Sequence, residues 1–219
     1  MPAAIAMSAF AIATAAPASA AESDDPVNAP IEHERRSGLV LGASGGIAFA
    51  GASGYPNSAR LLDNPDYYSS SPMLVGWSTS YFLMGALTDY LSFGPSLTIA
   101  TMESDAWKST GWGLGFRGEV FPLIKVVPAL ADLAVYGQAG VGTAELRAKG
   151  PYPTSDGSQT FFGAGLHHEW RLGRLLGGHG AAGPYVEYDA IRAQSTERHW
   201  LTAGLRVVWY GGSVKLDRP

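Results

Sequence analysis

Between Gly38 and Tyr210 the sequence alternates bulky apolar residues with small or polar ones, a period of two that is typical of β-strands. Stretches of roughly ten residues show this alternation, and clusters of Gly, Pro, Asn, Asp and Ser separate them. We place eight strands at 38–50, 73–85, 91–103, 111–122, 133–147, 160–172, 184–194 and 199–210. The sequence therefore predicts an all-β chain.

The two faces of these strands differ in a way that a soluble sheet does not explain. In the last stretch Leu201, Leu205 and Trp209 fall on one face, whereas Gly204 and Arg206 fall on the other. A soluble sheet buries its bulky face and presents Lys and Glu densely on the exposed one. Here charged residues make up only 16% of the chain, against roughly 25% in typical soluble domains. The pattern favours an eight-stranded antiparallel transmembrane β-barrel, with its bulky face toward lipid and small residues in a narrow lumen.

Aromatic residues on the bulky face are predicted to form two girdles, one at each membrane interface, because amphipathic rings favour the headgroup level. The outer girdle is predicted from Phe49, Trp77, Trp112 and Phe162, and the inner one from Phe93, Trp170 and Trp209. The longest connection, residues 51–71, is then an outer loop. We expect it to be the main extracellular contact surface, because Tyr55, Tyr67, Tyr68 and Arg60 suit adaptable recognition.

The predicted domain order begins with an export signal. Residues 1–20 are apolar and small and end in Ala18-Ser19-Ala20, which predicts a cleaved signal peptide. Residues 21–37 are polar and read as a periplasmic linker, residues 38–212 as the barrel, and residues 213–219 as a C-terminal tail. The absence of cysteine excludes a disulfide or a thiolate metal site. A net charge of −4 gives no support to a nucleic-acid partner.

The lumen face carries charges of both signs near the inner strand ends. We predict that they form a structural layer of ion pairs, because an isolated charge in a narrow lumen is costly. The predicted lumen charges are Arg117, Glu119, Glu169, Arg171, Glu187 and Arg206. Glu187 is expected to pair with Arg171 and Arg206 on its flanking strands. We expect this layer to plug the inner half, whereas small residues line the outer half unless Tyr136, Phe161 and Trp200 fill it.

Three short motifs resemble functional sites but do not fit their requirements. Gly42–Gly46 matches G-x-S-x-G and Gly113–Gly118 matches G-x-G-x-x-G, yet both lie inside alternating strands with no helix after them. His167 and His168 are adjacent in a strand, so they point to opposite faces and do not share a metal ion. We therefore predict no catalytic residue, no cofactor and no metal.

The signal peptide, the eight alternating strands and the aromatic final strand WLTAGLRVVWY together resemble the small outer-membrane β-barrel proteins of Gram-negative bacteria, the OmpA/OmpX-like group. The resemblance implies outer-membrane localisation, contact with outer-membrane lipid, and recognition of the last strand by the barrel-assembly machinery. Gly211–Pro219 follow the last strand and depart from the family's aromatic C-terminus.

The predicted function is that of a non-enzymatic outer-membrane barrel with a structural, surface-interaction or small-solute role. Two alternatives stay open: an outer-membrane lipid-modifying enzyme, which resembles this architecture in strand count, and a soluble exported β-barrel that binds an apolar ligand. The extracellular partner is not indicated by any loop motif.

Overall fold

A computed structural model describes residues 36–151 and 153–212, and these form a closed antiparallel barrel. The predicted signal peptide, the linker up to residue 35 and the tail lie outside the described residues. Ten strands run in chain order: β1 Gly38–Gly54, β2 Ser69–Ser70, β3 Leu74–Thr88, β4 Leu91–Glu103, β5 Trp107–Val120, β6 Leu133–Ala148, β7 Ser155–His168, β8 Trp170–Leu175, β9 Gly178–Arg192 and β10 Thr196–Gly211. Two single 3₁₀ turns, Pro65–Tyr67 and Pro128–Leu130, lie in connections. No helix in the described ranges is long and apolar enough to cross a membrane.

The barrel closes through β10, which pairs with β9 on one side and with β1 on the other. The closing ladder runs from Leu39 opposite Gly211 to Gly54 opposite Thr196. Eight long strands make up the wall, because β2 is two residues long and β8 continues the line of β7 beyond Glu169. The predicted eight-stranded antiparallel barrel is therefore confirmed.

Several strand ends differ from the predicted ones. The wall extends further outward, since β1 continues to Gly54, β5 already begins at Trp107, and β7 begins at Ser155. In these segments the ladder runs on through Ser, Thr and Asp, which the sequence pattern reads as turn residues. The segment 173–183, which falls between two of the predicted strands, is largely a hairpin of β8 and β9. Its turn has Leu176 and Gly177 at positive φ, 50° and 78°.

The assignment of inside and outside follows the predicted faces. Leu205, Phe116 and Leu166 are exposed on the outer wall by 66%, 58% and 50%. In contrast, Arg206 and Arg117 are fully buried one residue further along the chain. Large apolar side chains are exposed on every long strand, which is the surface that lipid covers in a transmembrane barrel.

Small lumen residues leave room for large ones on other strands. A Cβ atom at Gly113 would collide with the Phe161 ring, and one at Gly163 would collide with the Asp189 carboxylate and lie 3.0 Å from the Gln138 amide. An eight-stranded barrel is just wide enough for its own side chains, so this complementarity leaves little free space inside.

Candidate functional site

The outer half of the lumen is filled by an apolar cluster. Phe161 on β7 stacks against Trp200 on β10 with 6.3 Å between ring centroids. Around this pair pack buried residues from the other strands: Ala48, Ala50, Ala52, Leu74, Ala100, Met102, Trp107, Ala144, Leu146 and Ile191. The side chains of this cluster therefore fill the space that small residues alone would leave open in the outer half of the lumen.

Below this cluster lies a network of buried ion pairs centred on Glu119. Its Oε1 atom accepts hydrogen bonds from Arg117 Nε at 2.7 Å and from Arg206 Nη1 at 2.6 Å. Arg206 Nη2 donates to Glu119 Oε2 at 2.8 Å, which makes this pair bidentate. Arg206 Nε also lies 3.4 Å from Glu169 Oε1. The two arginines thus bind carboxylates from more than one strand.

A second carboxylate centre joins β6 to β9. Glu187 accepts hydrogen bonds from Tyr136 Oη at 2.7 Å and from Gln138 Nε2 at 2.6 Å, and Arg117 Nη1 lies 3.7 Å away. The same Gln138 Nε2 donates to Asp189 Oδ1 at 2.8 Å. One amide therefore holds two neighbouring carboxyl groups in the middle of the lumen.

The structure brings five of the six predicted lumen charges together. Arg117, Glu119, Glu169, Glu187 and Arg206 are all buried. Arg171 is not among them: it is exposed on β8, so the prediction that it lines the lumen is wrong. The wall strand is interrupted at Glu169, and β8 continues at the inner end of the barrel paired with β9, where Arg171 is exposed to solvent.

The predicted pairing of Glu187 with Arg171 and Arg206 is also wrong. Arg206 binds Glu119 on β5, across the lumen from β10, and Arg117 is the arginine near Glu187. The ion pairs do not form only between neighbouring strands, because long arginine side chains reach across a narrow lumen.

Three further buried polar side chains, Asp189, Arg198 and Gln138, were not predicted as lumen residues. Asp189 and Arg198 have the same lumen parity as Glu187 and Arg206, so extending the alternation outward along β9 and β10 would have found them. Arg198 donates to the Ala100 carbonyl at 3.2 Å and contacts Met102 Sδ at 2.8 Å. His167 faces the lumen, 3.3 Å from Glu169, whereas His168 is only half-buried. Gln138 carries no charge, so the pattern of charged residues in the sequence did not indicate it as a lumen residue.

The inner mouth is closed by Arg36, which precedes β1. Its guanidinium lies 3.4 Å from the centre of the Phe121 ring, and its Nη2 atom donates to Asp132 Oδ1 at 2.7 Å. Its backbone N–H donates to Asp89 Oδ1 at 3.0 Å, and Glu169 Oε2 lies 3.5 Å from Nη2. Arg36 falls within the predicted linker, but it connects three inner segments of the barrel.

The outer mouth is crossed by the first outer loop, residues 55–73. Tyr55 N–H donates to the Ser195 carbonyl at 2.6 Å, beside the strand that pairs with β1. Ser69 Oγ donates to the Pro153 carbonyl at 2.7 Å, and Asn57 N–H donates to Asp156 Oδ1 at 3.3 Å. Pro153 belongs to the connection after β6, which lies opposite β1 in the barrel. The loop is therefore fixed to both sides of the mouth.

The outer rim presents aromatic and charged side chains to solvent. Tyr68 is 50% exposed and its ring lies 5.2 Å from that of Tyr55. A cavity of about 470 Å³ opens above Trp112 on the outer wall and is lined by Thr101, Thr110, Thr143, Glu145 and Asp156 among others. Exposed charges of both signs surround the rim, including the pairs Arg147–Glu145 and Arg192–Glu197. In residues 36–151 and 153–212 no cluster of three His, Asp or Glu is placed to hold a metal ion.

No protein-family model and no curated protein sequence matches the chain. Among solved structures it is similar to Ail, the attachment invasion locus protein of Yersinia pestis, at 13% identity, 78% coverage of this chain, 99% of that chain and a TM-score of 0.43. It is similar to Neisserial surface protein A at 18% identity, 80% and 99% coverage and a TM-score of 0.39. It is also similar to the outer membrane protein OprG from Pseudomonas aeruginosa, at 8% identity, 81% coverage of this chain, 98% of that chain and a TM-score of 0.37. These are small outer-membrane barrels of Gram-negative bacteria, the class that the sequence resembles.

Proposed function

We propose that this protein is a non-enzymatic outer-membrane barrel that conducts no solute and acts through its outer rim by binding an extracellular partner. The observation that carries the first part is the filled lumen. Phe161 and Trp200 fill its outer half, the Glu119 network its middle, and Arg36 its inner mouth.

Opening this lumen would require more than the movement of one loop. A continuous path would have to break the bidentate Arg206–Glu119 pair and separate buried aromatic rings at a different level. Leaving one charge of a buried pair without its partner costs about 3–5 kcal/mol. This cost favours a barrel that stays closed.

The outer loop supports a role at the surface. Tyrosine gives a large contact area at low cost in conformational entropy, and Tyr67 and Tyr68 are both exposed. The hydrogen bonds of Tyr55 and Ser69 fix the loop before any partner binds, so less ordering is needed on association. The exposed apolar wall supports a membrane location and disfavours the soluble exported barrel, which would leave that wall in water.

Planar-bilayer recordings test the closed lumen. The unmutated protein is expected to give no steady conductance. It is compared with two variants: Phe161→Ala/Trp200→Ala removes the aromatic side chains that fill the outer half of the lumen, and Arg36→Ala removes the side chain that closes the inner mouth. The matched control is Phe162→Ala, which truncates an outward-facing ring on the same strand. Steady porin-like currents from the unmutated protein would refute the closed lumen.

The surface role is tested separately. Proteoliposomes carrying the unmutated protein or Tyr67→Ser/Tyr68→Ser are applied to arrays of extracellular glycans and matrix proteins. Binding that depends on the two tyrosines is expected, and its absence would contradict the role given to the loop. Cell fractionation tests the outer-membrane location, and thin-layer analysis of lipid A from expressing and deleted cells tests the enzymatic alternative.

A further inference from the structure

The hairpin formed by β8 and the start of β9, residues 170–182, lies at the inner end of the wall, where β9 pairs with β10 on one side and with β8 on the other. It exposes large apolar side chains to an unusual degree: Leu176 is 87% exposed and Leu172 is 68% exposed. Trp170 and Leu175 are also more than half exposed. A hairpin in the aqueous periplasm would not gain from presenting these side chains to water.

The position of this hairpin is fixed relative to the lipid-facing wall. Trp209, one of the inner girdle residues, donates its indole N–H to the Leu175 carbonyl at 2.8 Å. Trp170 continues the outward face of β7 after Leu166, and its ring lies 5.9 Å from that of His168. The hairpin tip therefore lies at the level of the inner membrane interface, where Trp rings are stable.

The exposed charges at this end of the described barrel have one sign. In the described ranges the exposed ionic side chains at the inner end are Arg171, Arg174 and Lys125. The inner carboxylates Asp89 and Asp132 are half-buried and both bind Arg36. The outer rim differs, because exposed arginines such as Arg147 there pair with acidic residues. The exposed surface of the inner end, as far as the described residues form it, is thus apolar and cationic.

We propose that the β8–β9 hairpin is an interfacial anchor that binds anionic phospholipid headgroups of the inner leaflet. Trp170 and Leu172 enter the acyl boundary, while Arg171 on the opposite face of β8 and Arg174 near the tip reach phosphate oxygens. Each arginine near such a surface strengthens attraction to anionic lipid about fivefold. This inference depends on the barrel spanning a bilayer, and it is independent of whether the lumen conducts or the outer loop binds a partner.

The test uses the absence of cysteine from the chain. A fluorophore is attached to the thiol introduced by His179→Cys, an exposed position at the hairpin, in the full chain refolded into phosphatidylcholine vesicles. Quenching is compared for nitroxide-labelled phosphatidylglycerol and nitroxide-labelled phosphatidylcholine at equal amounts. Stronger quenching by the anionic lipid is expected, and added salt should reduce the difference.

Arg171→Gln/Arg174→Gln should lower the preference for the anionic lipid by more than tenfold. The control Arg60→Gln/Arg147→Gln removes the same charge at the outer rim and should leave the preference unchanged. Heat-modifiable migration on gels establishes that each variant is folded. Equal quenching by both lipids, an unchanged preference in the hairpin variant, or thiol cross-linking between two copies of the unlabelled His179→Cys variant would overturn the proposal.

Discussion

Replacing Glu119 by Gln tests whether the ion network stabilises the barrel. Gln has nearly the same shape but no charge, and Glu119 is the partner of both Arg117 and Arg206. The variant leaves these two fully buried guanidinium groups near Glu119 with a neutral amide. Removing one partner of a buried ion pair costs about 3–5 kcal/mol, so Glu119→Gln should lower the free energy of unfolding by that amount.

The matched control is Glu145→Gln. Glu145 also pairs with an arginine two residues away, since its Oε1 lies 2.7 Å from Arg147 Nη2, but both side chains are exposed to solvent. An exposed pair contributes about 0–1 kcal/mol. The two variants remove the same charge from the same kind of pair, and they differ in burial.

Urea titrations in lipid vesicles, followed by tryptophan fluorescence and by heat-modifiable migration, measure the free energies of unfolding. A double variant, Glu119→Gln/Arg206→Gln, removes one of the stranded charges and should lose less stability than the sum of the single variants. Equal losses for Glu119→Gln and Glu145→Gln would refute the argument, and so would strict additivity in the double variant.

Three further predictions concern other parts of the barrel, and the same titrations measure them. Leu114→Arg on the lipid-facing wall should lower the free energy of unfolding by about 2–4 kcal/mol. Thr110→Arg, on the same face of β5 but beside the outer rim, should lower it by about 0–1 kcal/mol. Equal losses for the two variants would show that the lipid boundary does not lie between these positions. Arg36→Gln should cost about 3 kcal/mol because it breaks the buried contacts at the inner mouth. In phosphatidylcholine vesicles, which offer no anionic lipid, Arg171→Gln, exposed at the same end, should change stability by less than about 0.5 kcal/mol. Gly113→Ala should cost about 1–3 kcal/mol by overpacking against Phe161, and adding Phe161→Leu should restore part of the loss; no rescue would mean that the ring is not what Gly113 accommodates.

Strand number, strand direction and the two faces could be predicted from the sequence because each rests on local alternation. Leu205 and Arg206 have opposite environments for the same reason that adjacent strand residues always do. Strand ends could not be predicted equally well. Residues such as Ser155 and Asp156 are turn formers by composition, yet partner strands continue the ladder through them.

The lumen contacts were harder to predict because barrel closure brings distant strands together. Arg206 and Glu119 lie on β10 and β5, four strands apart in either direction around the wall, and no local pattern relates them. The predicted pairing used neighbouring strands, where geometry can be inferred from register alone. In a narrow barrel the opposite wall is within reach of an arginine, so neighbours in the sheet are not the only candidates.

The start of the barrel can be argued from the charges that it buries. The buried arginines of the described residues are Arg36, Arg117, Arg198 and Arg206, and the buried carboxyl groups are Glu119, Glu169, Glu187 and Asp189. Arg36 is thus one of four buried arginines in the described residues. Arg36 belongs to the same buried network as the wall charges, because its Nη2 atom donates to Asp132 Oδ1 at 2.7 Å and lies 3.5 Å from Glu169 Oε2. Alternation sets the boundary at Gly38 because it detects only residues in the wall, whereas Arg36 enters the lumen through its end. The buried contacts of Arg36 therefore place it within the barrel.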